Sequence, residues 1–285
     1  MLNGDVQSST MNRVHQSLSA MGRRVLSPIE YTIEVLLMIY LSVRAAFFDQ
    51  AQGLRSVFSV VSAQIYFTGF QALPLISVLA VASGSIVILQ ASTNLTLLGG
   101  GEMMGDLMVA IVVRELAPLL TALIVIARSG TAVASEIGNM RVNREIEALE
   151  IMGIHPLSYV VFPRLMGGIV SVVCLAIYFV VVACLGGYFV SNLLHELQFS
   201  FYIDSLARAF TGADIGLFFL KNVFSGAITF MIACYQGMLV KGSPHEVPQV
   251  TTKAVVNSVI YVVFFNMTVT ILFYLSRLMA LGIGV

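Results

Sequence analysis

The stretch that decides the fold runs from residue 107 to residue 130, LMVAIVVRELAPLLTALIVIARSG. Its only ionisable residues are Arg114, Glu115 and Arg128. An α-helix rises ~1.5 Å per residue, so this run is long enough to cross the ~30 Å hydrocarbon core of a bilayer. Moving outward, comparable apolar runs occur at about 70–97, 159–190, 215–239 and 254–280. Nothing between Arg55 and Glu102 is ionisable at neutral pH. With 58% hydrophobic and 11% charged residues and a mean hydropathy of +0.92, the chain lacks the polar surface a soluble globule of its size requires. The expected fold class is an all-α integral membrane protein, with N-terminal interfacial helices followed by about five transmembrane helices.

The N-terminal quarter reads differently. Met11, Val14, Leu18, Met21 and Val25 share one helical stripe, opposite Arg13, Gln16, Arg23 and Arg24, as in a helix lying on a membrane surface. In residues 29–48, Glu30, Glu34 and Arg44 leave an apolar core shorter than a span needs. An interfacial elbow is expected there, with a true span as the open alternative. Residues 1–10 have no apolar core of a signal peptide.

Lys and Arg set the orientation. A cytoplasmic N-terminus puts Arg13, Arg23, Arg24, Arg44, Arg55, Arg128, Arg141, Arg144, Arg164, Lys241 and Lys253 inside and only Arg208, Lys221 and Arg277 outside. The cytoplasmic segments are then about 135–156 and 240–253. Residues 192–214 form an external segment, and the C-terminus lies outside.

Several function classes fall away. The basic residues are scattered and the net charge is zero, which argues against nucleic-acid binding. Cys174, Cys184 and Cys234 sit singly in apolar runs, as inert thiols do, and no metal is expected. There is no G-x-x-x-x-G-K-[ST] loop and no G-x-S-x-G elbow, so neither an ATPase nor an intramembrane hydrolase is expected and no residue is assigned a catalytic role.

Three features carry the functional reading. Arg114 and Glu115 stand inside an apolar run, where an isolated charge costs ~2.5–3.5 kcal/mol. Neighbours on a helix point ~100° apart, so at least one of the pair must face another helix or a cavity. An interhelical ion pair and a substrate-cavity pair both remain open readings. Pro118 offers no N–H to the Arg114 carbonyl, so a kink or local opening is expected there. Gly130, Ala134 and Gly138 repeat every four residues, a spacing that suits close helix packing. Finally, Glu136, Arg141, Arg144, Glu145, Glu147 and Glu150 crowd a segment that ends at Gly153, which reads as a short charged helix able to serve as a handle for a cytoplasmic motor.

Three blocks together resemble the MlaE/YrbE family, the permeases of Mla- and Mce-type lipid ABC transporters. They are Arg114-Glu115-Leu116-Ala117-Pro118, the run from Ala127 through Ser135-Glu136-Ile137-Gly138, and Glu147-Ala148-Leu149-Glu150-Ile151-Met152-Gly153-Ile154-His155-Pro156. The similarity continues at Phe162-Pro163-Arg164, Tyr235-Gln236-Gly237, Lys241-Gly242 and Thr251 to Val255. It implies residues 65–285 as the permease domain behind an N-terminal segment 1–64. It also implies a homodimer in a bacterial inner membrane, bound to two cytoplasmic ABC ATPase subunits and a periplasmic ring of MCE-domain proteins. A small cytoplasmic accessory protein is compatible with it. The substrate would be a phospholipid or related apolar lipid, and ATP and Mg would belong to the partner ATPase, with no cofactor in this chain.

By the same resemblance, Glu136 to Gly153 is the coupling helix and Arg114 and Glu115 face the lipid cavity. Cavity walls are expected from the first, second and fifth spans, with Leu79, Ser83, Val87 and Ile111 as the candidates. Two other functions compete: an ion-coupled secondary transporter with Arg114 and Glu115 as a relay, and a non-transporting scaffold.

Overall fold

A computed structural model describes residues 30–45, 54–96, 104–195 and 198–280. The amphipathic stretch expected at 11–26 lies outside them. Among the described residues the chain is helical without strands, and five helices are long and apolar enough to cross a membrane. They are span 1 (Phe58–Ala91), span 2 (Met104–Val142), span 3 (Leu157–Val190), span 4 (Gly212–Met238) and span 5 (Glu246–Met279).

Three spans are longer than hydropathy suggests: in spans 1 and 2 polar residues find partners, and in span 5 the helix start accommodates a proline. Span 1 begins near residue 58 rather than 70: Gln64 and Thr68 are buried and the Gln64 amide donates to the Thr68 hydroxyl at 2.7 Å. Its opening helix, Leu54–Thr68, runs through the 64/65 position placed as a domain boundary. Span 2 continues to Val142 because Glu136 pairs with Arg164 at 2.8 Å and Arg141 pairs with Glu147 at 3.2 Å. Span 5 starts at Glu246, with Pro248 in the first turn, where a missing N–H costs nothing.

Spans 2 and 4 form the centre, with 61% and 67% of their apolar windows buried; span 5, at 17%, lies on the outside of the chain. Small residues set the approach distances. A Cβ added at Gly84 would stand 2.0 Å from the Ala183 carbonyl oxygen, so spans 1 and 3 pack backbone against backbone. Gly237 of span 4 presses on Ile137 and the Ala134 carbonyl of span 2, the packing face expected from Gly130, Ala134 and Gly138.

Span 1 breaks at Gly69 into a tight turn, Phe70–Ala72, before continuing as Leu73–Thr96. The helix at 30–45 is not among the five spans. Its start is tied to spans 4 and 5: the Thr32 and Tyr261 hydroxyls lie 2.9 Å apart, the Gln236 amide donates to the Tyr31 hydroxyl at 3.1 Å, and the Tyr235 hydroxyl donates to Glu34. At the opposite end of the bundle, Phe199–Ala209 docks on the start of span 2, where the Gly105 N–H donates to Ser205 at 3.1 Å.

Candidate functional site

The site forms where spans 2, 4 and 5 meet. Span 2 widens into π-helical winding over Met108–Leu116, ending on Arg114 and Glu115. π-Turns add a residue to the helix and redirect side chains, and they concentrate at functional sites. The opening expected at Pro118 takes this form, and the backbone stays helical through Leu116 and Ala117.

Pro118 leaves the Arg114 carbonyl without its helical N–H, and the structure supplies a replacement. The Lys221 ammonium of span 4 donates to that carbonyl at 2.7 Å. It also lies 3.0 Å from both Glu115 carboxylate oxygens and 2.8 Å from the Thr270 hydroxyl of span 5. An ammonium has three protons, and these acceptors use all of them. Thr270 completes the ring at 3.1 Å from the Glu115 oxygens, and Asn266 one turn earlier donates to Ser225 at 2.9 Å. Lys221 is fully buried, whereas the Glu115 side chain is 38% exposed.

Arg114 turns the other way, with Nε 2.9 Å from Asp214 Oδ1. Asp214 sits three residues into span 4, where it accepts the Thr211 N–H at 3.1 Å in a reciprocal capping box and where the helix dipole favours an anion. The Arg114 guanidinium lies 5.7 Å from the Phe273 ring centre, and that of Arg277 lies 5.3 Å from it. The result is an electroneutral quartet, Arg114, Glu115, Asp214 and Lys221. Unpaired, a charge at the centre of a span would cost ~2.5–3.5 kcal/mol, and less near a span end as for Asp214, so pairing favours their being there. Arg114 and Glu115 thus take part in interhelical ion pairs that tie spans 2, 4 and 5 together, while the Glu115 side chain stays 38% exposed.

Asp214 and Lys221 escaped the sequence reading. Lys221 falls inside the run expected at 215–239 and is fully buried in span 4, whereas Asp214, expected in the external segment, belongs to the first turn of span 4. A lone lysine in an apolar run, seven residues after an aspartate and hence on the same helix face, was the available signal.

At the other end of the bundle, the stretch Glu136 to Gly153 is not one helix. Glu136 and Arg141 belong to span 2; the chain then turns at Arg144, whose φ is 60°, and forms the short helix Glu145–Ile151. Gly153, at φ 75°, ends it: the Ile154 N–H donates to Leu149 at 2.9 Å and the Gly153 N–H to Glu150 at 3.0 Å. Ile146 is wholly buried and anchors the helix, while Glu145, Glu150, Ile151 and Met152 face outward, Ile151 87% exposed. A cavity of about 580 Å³ separates this helix from the 240–242 loop, lined by Arg141, Arg144, Glu147 and Lys241 among others.

The four expected cavity walls differ in exposure. Leu79 and Ile111 are partly exposed, Ser83 is half-buried with its hydroxyl on the Ala80 carbonyl, and Val87 is packed into the core. Val87 therefore faces no open surface of this chain. Among the described residues no cluster of His, Cys, Asp and Glu could hold a metal ion.

Comparison with known proteins agrees with this architecture. Residues 61–272 match the family described as "Permease MlaE". A probable ABC transporter permease protein of Rickettsia bellii is 31% identical over 217 residues, covering 76% of this chain and 84% of that protein. The intermembrane phospholipid transport system permease protein MlaE of Haemophilus influenzae is 27% identical over 78% of this chain and 85% of its own length. The chloroplast protein TRIGALACTOSYLDIACYLGLYCEROL 1 of Arabidopsis thaliana is 28% identical over 67% of this chain and 55% of its length.

Proposed function

Since the chain belongs to the MlaE permease family, we propose that it is the membrane subunit of an ATP-driven transporter that moves phospholipids or related lipids between an inner membrane and a periplasmic MCE-domain partner. It works as a homodimer with two cytoplasmic ABC ATPase subunits, which hold the ATP and Mg. The N-terminus and the Glu145–Ile151 helix face the cytoplasm and the C-terminus the periplasm, as the Lys and Arg distribution favours.

The observation that carries the reading is the pairing of two opposite ends by one rigid element. Span 2 runs unbroken from the buried charge quartet to the turn at Asn143, beyond which a short helix presents Ile151 and Met152 outward. Force applied to that helix by a closing ATPase pair moves span 2, and span 2 carries Arg114 and Glu115. Ile146 and the Arg141–Glu147 pair keep the short helix from swinging free.

Glu147→Lys tests the coupling. The substitution turns the Arg141 pair into a repulsion and loosens the short helix that presents Ile151 and Met152, and it should weaken ATPase association and lower ATP-dependent lipid transfer together. If both remain at wild-type level, the coupling role of this helix is wrong.

A further inference from the structure

Within the spans, Arg114, Lys221 and Arg164 each have an acid within 3.0 Å. Arg128 has no acid within ion-pair distance among the described residues. It sits in the second π-wound stretch of span 2, Ile126–Gly130, and faces span 1 rather than spans 4 and 5. One amino group donates to the Gln71 amide oxygen at 2.6 Å, the guanidinium lies 5.4 Å from the Phe67 ring centre, and Nη1 is buried without a hydrogen-bond partner. Phe67 and Gln71 flank the break in span 1 at Gly69, where the helix is already interrupted.

A structural tie between spans 1 and 2 needs no charge; a neutral donor would satisfy Gln71 without the cost of a cation in an apolar layer. An arginine held by a ring face and one amide, with donors unspent, is a fork open to an anion, and phosphate is the group a guanidinium fits best. We infer that Arg128 is a binding station for the phosphate of the transported lipid, separate from the Arg114 quartet and about 20 Å from it along span 2. Phe67 covers the guanidinium while the station is empty, and the break at Gly69 lets the ring move aside when phosphate arrives. The inference rests on the lipid-transport reading.

The test uses the intact transporter complex in nanodiscs and a phospholipid carrying a photoreactive diazirine in its headgroup, with crosslinked peptides mapped by mass spectrometry. Wild type should crosslink within residues 67–71 or beside Arg128. Arg128→Gln should cut that labelling about tenfold, the scale of one charge-assisted hydrogen bond, and Arg128→Lys should restore part of it. A diacylglycerol with the same diazirine and no phosphate should not label the site in any variant. The inference is overturned if wild type shows no labelling there, if Arg128→Gln leaves it undiminished, or if diacylglycerol labels it equally. Should Arg128→Gln fail to assemble, labelling of Arg128→Lys equal for the two probes overturns it too. ATP-dependent phospholipid transfer by the same wild-type complex is measured separately, so absence of transfer rejects the transport reading, while transfer without labelling rejects the station alone.

Discussion

Removing Glu115 while keeping Lys221 strips the counter-charge from a fully buried ammonium. In Glu115→Gln the amide oxygen still accepts one proton, and the Arg114 carbonyl and Thr270 hydroxyl remain at 2.7 and 2.8 Å, but the charge is uncompensated. Breaking a buried pair by removing one partner costs ~3–5 kcal/mol. Since Glu115 is 38% exposed, solvent and headgroups already weaken its share, and about 3 kcal/mol is the fitting figure. That is about two orders of magnitude in the unfolding equilibrium. Lys221→Met fills the same space with an apolar stem and leaves only the half-exposed carboxylate and one orphaned carbonyl, so it should cost less, about 2 kcal/mol. The double variant removes both charges and should fall well short of the sum, with a coupling of about 2 kcal/mol. Reversible unfolding in mixed SDS micelles reads all three. Additive single effects, or a Glu115→Gln loss below about 0.5 kcal/mol, would refute the claim that this pair holds spans 2, 4 and 5 together.

Four further outcomes follow from the geometry. Gly153→Ala should lower stability by about 1 kcal/mol, measured by the same unfolding assay, because φ 75° is strained for alanine although nothing lies within 4 Å of the new methyl. Arg144→Gly should leave stability unchanged or raise it by up to ~1 kcal/mol, since glycine relieves the left-handed backbone at that turn. Gly84→Val should disrupt the contact of spans 1 and 3, seen as loss of a monodisperse peak on size-exclusion chromatography, because the added carbons meet the Ala183 backbone. A maleimide should leave all three cysteines unreacted in the membrane-embedded protein, because Cys184 and Cys234 are buried and Cys174 sits mid-span where the reactive thiolate is disfavoured, as intact-mass analysis would show.

The five spans were legible because a bilayer imposes a length and an apolar composition that a sequence displays directly. Their ends were less so, since Gln64, Glu136 and Arg141 look like boundary residues until their partners are known. The quartet was half legible. Arg114 and Glu115 announce themselves as charges in an apolar run, but Asp214 and Lys221 lie about a hundred residues away, and the facing of spans 2 and 4 depends on packing such as that at Gly237. Lys221 lies inside a run legible as a span, but a buried lysine is exceptional unless a carboxylate waits for it, and the sequence does not display that Glu115 does. The charged stretch after span 2 showed the same pattern: the glycine stop was readable, whereas the left-handed Arg144 that divides span from short helix was not.

The most direct test of the central claim is to purify the tagged chain gently from its native membrane, reconstitute what accompanies it, and measure phospholipid transfer with and without ATP. The account predicts a co-purifying ATPase, an MCE-domain protein, bound phospholipid, and transfer that requires ATP hydrolysis. A chain that emerges alone and drives uptake on an ion gradient would contradict it.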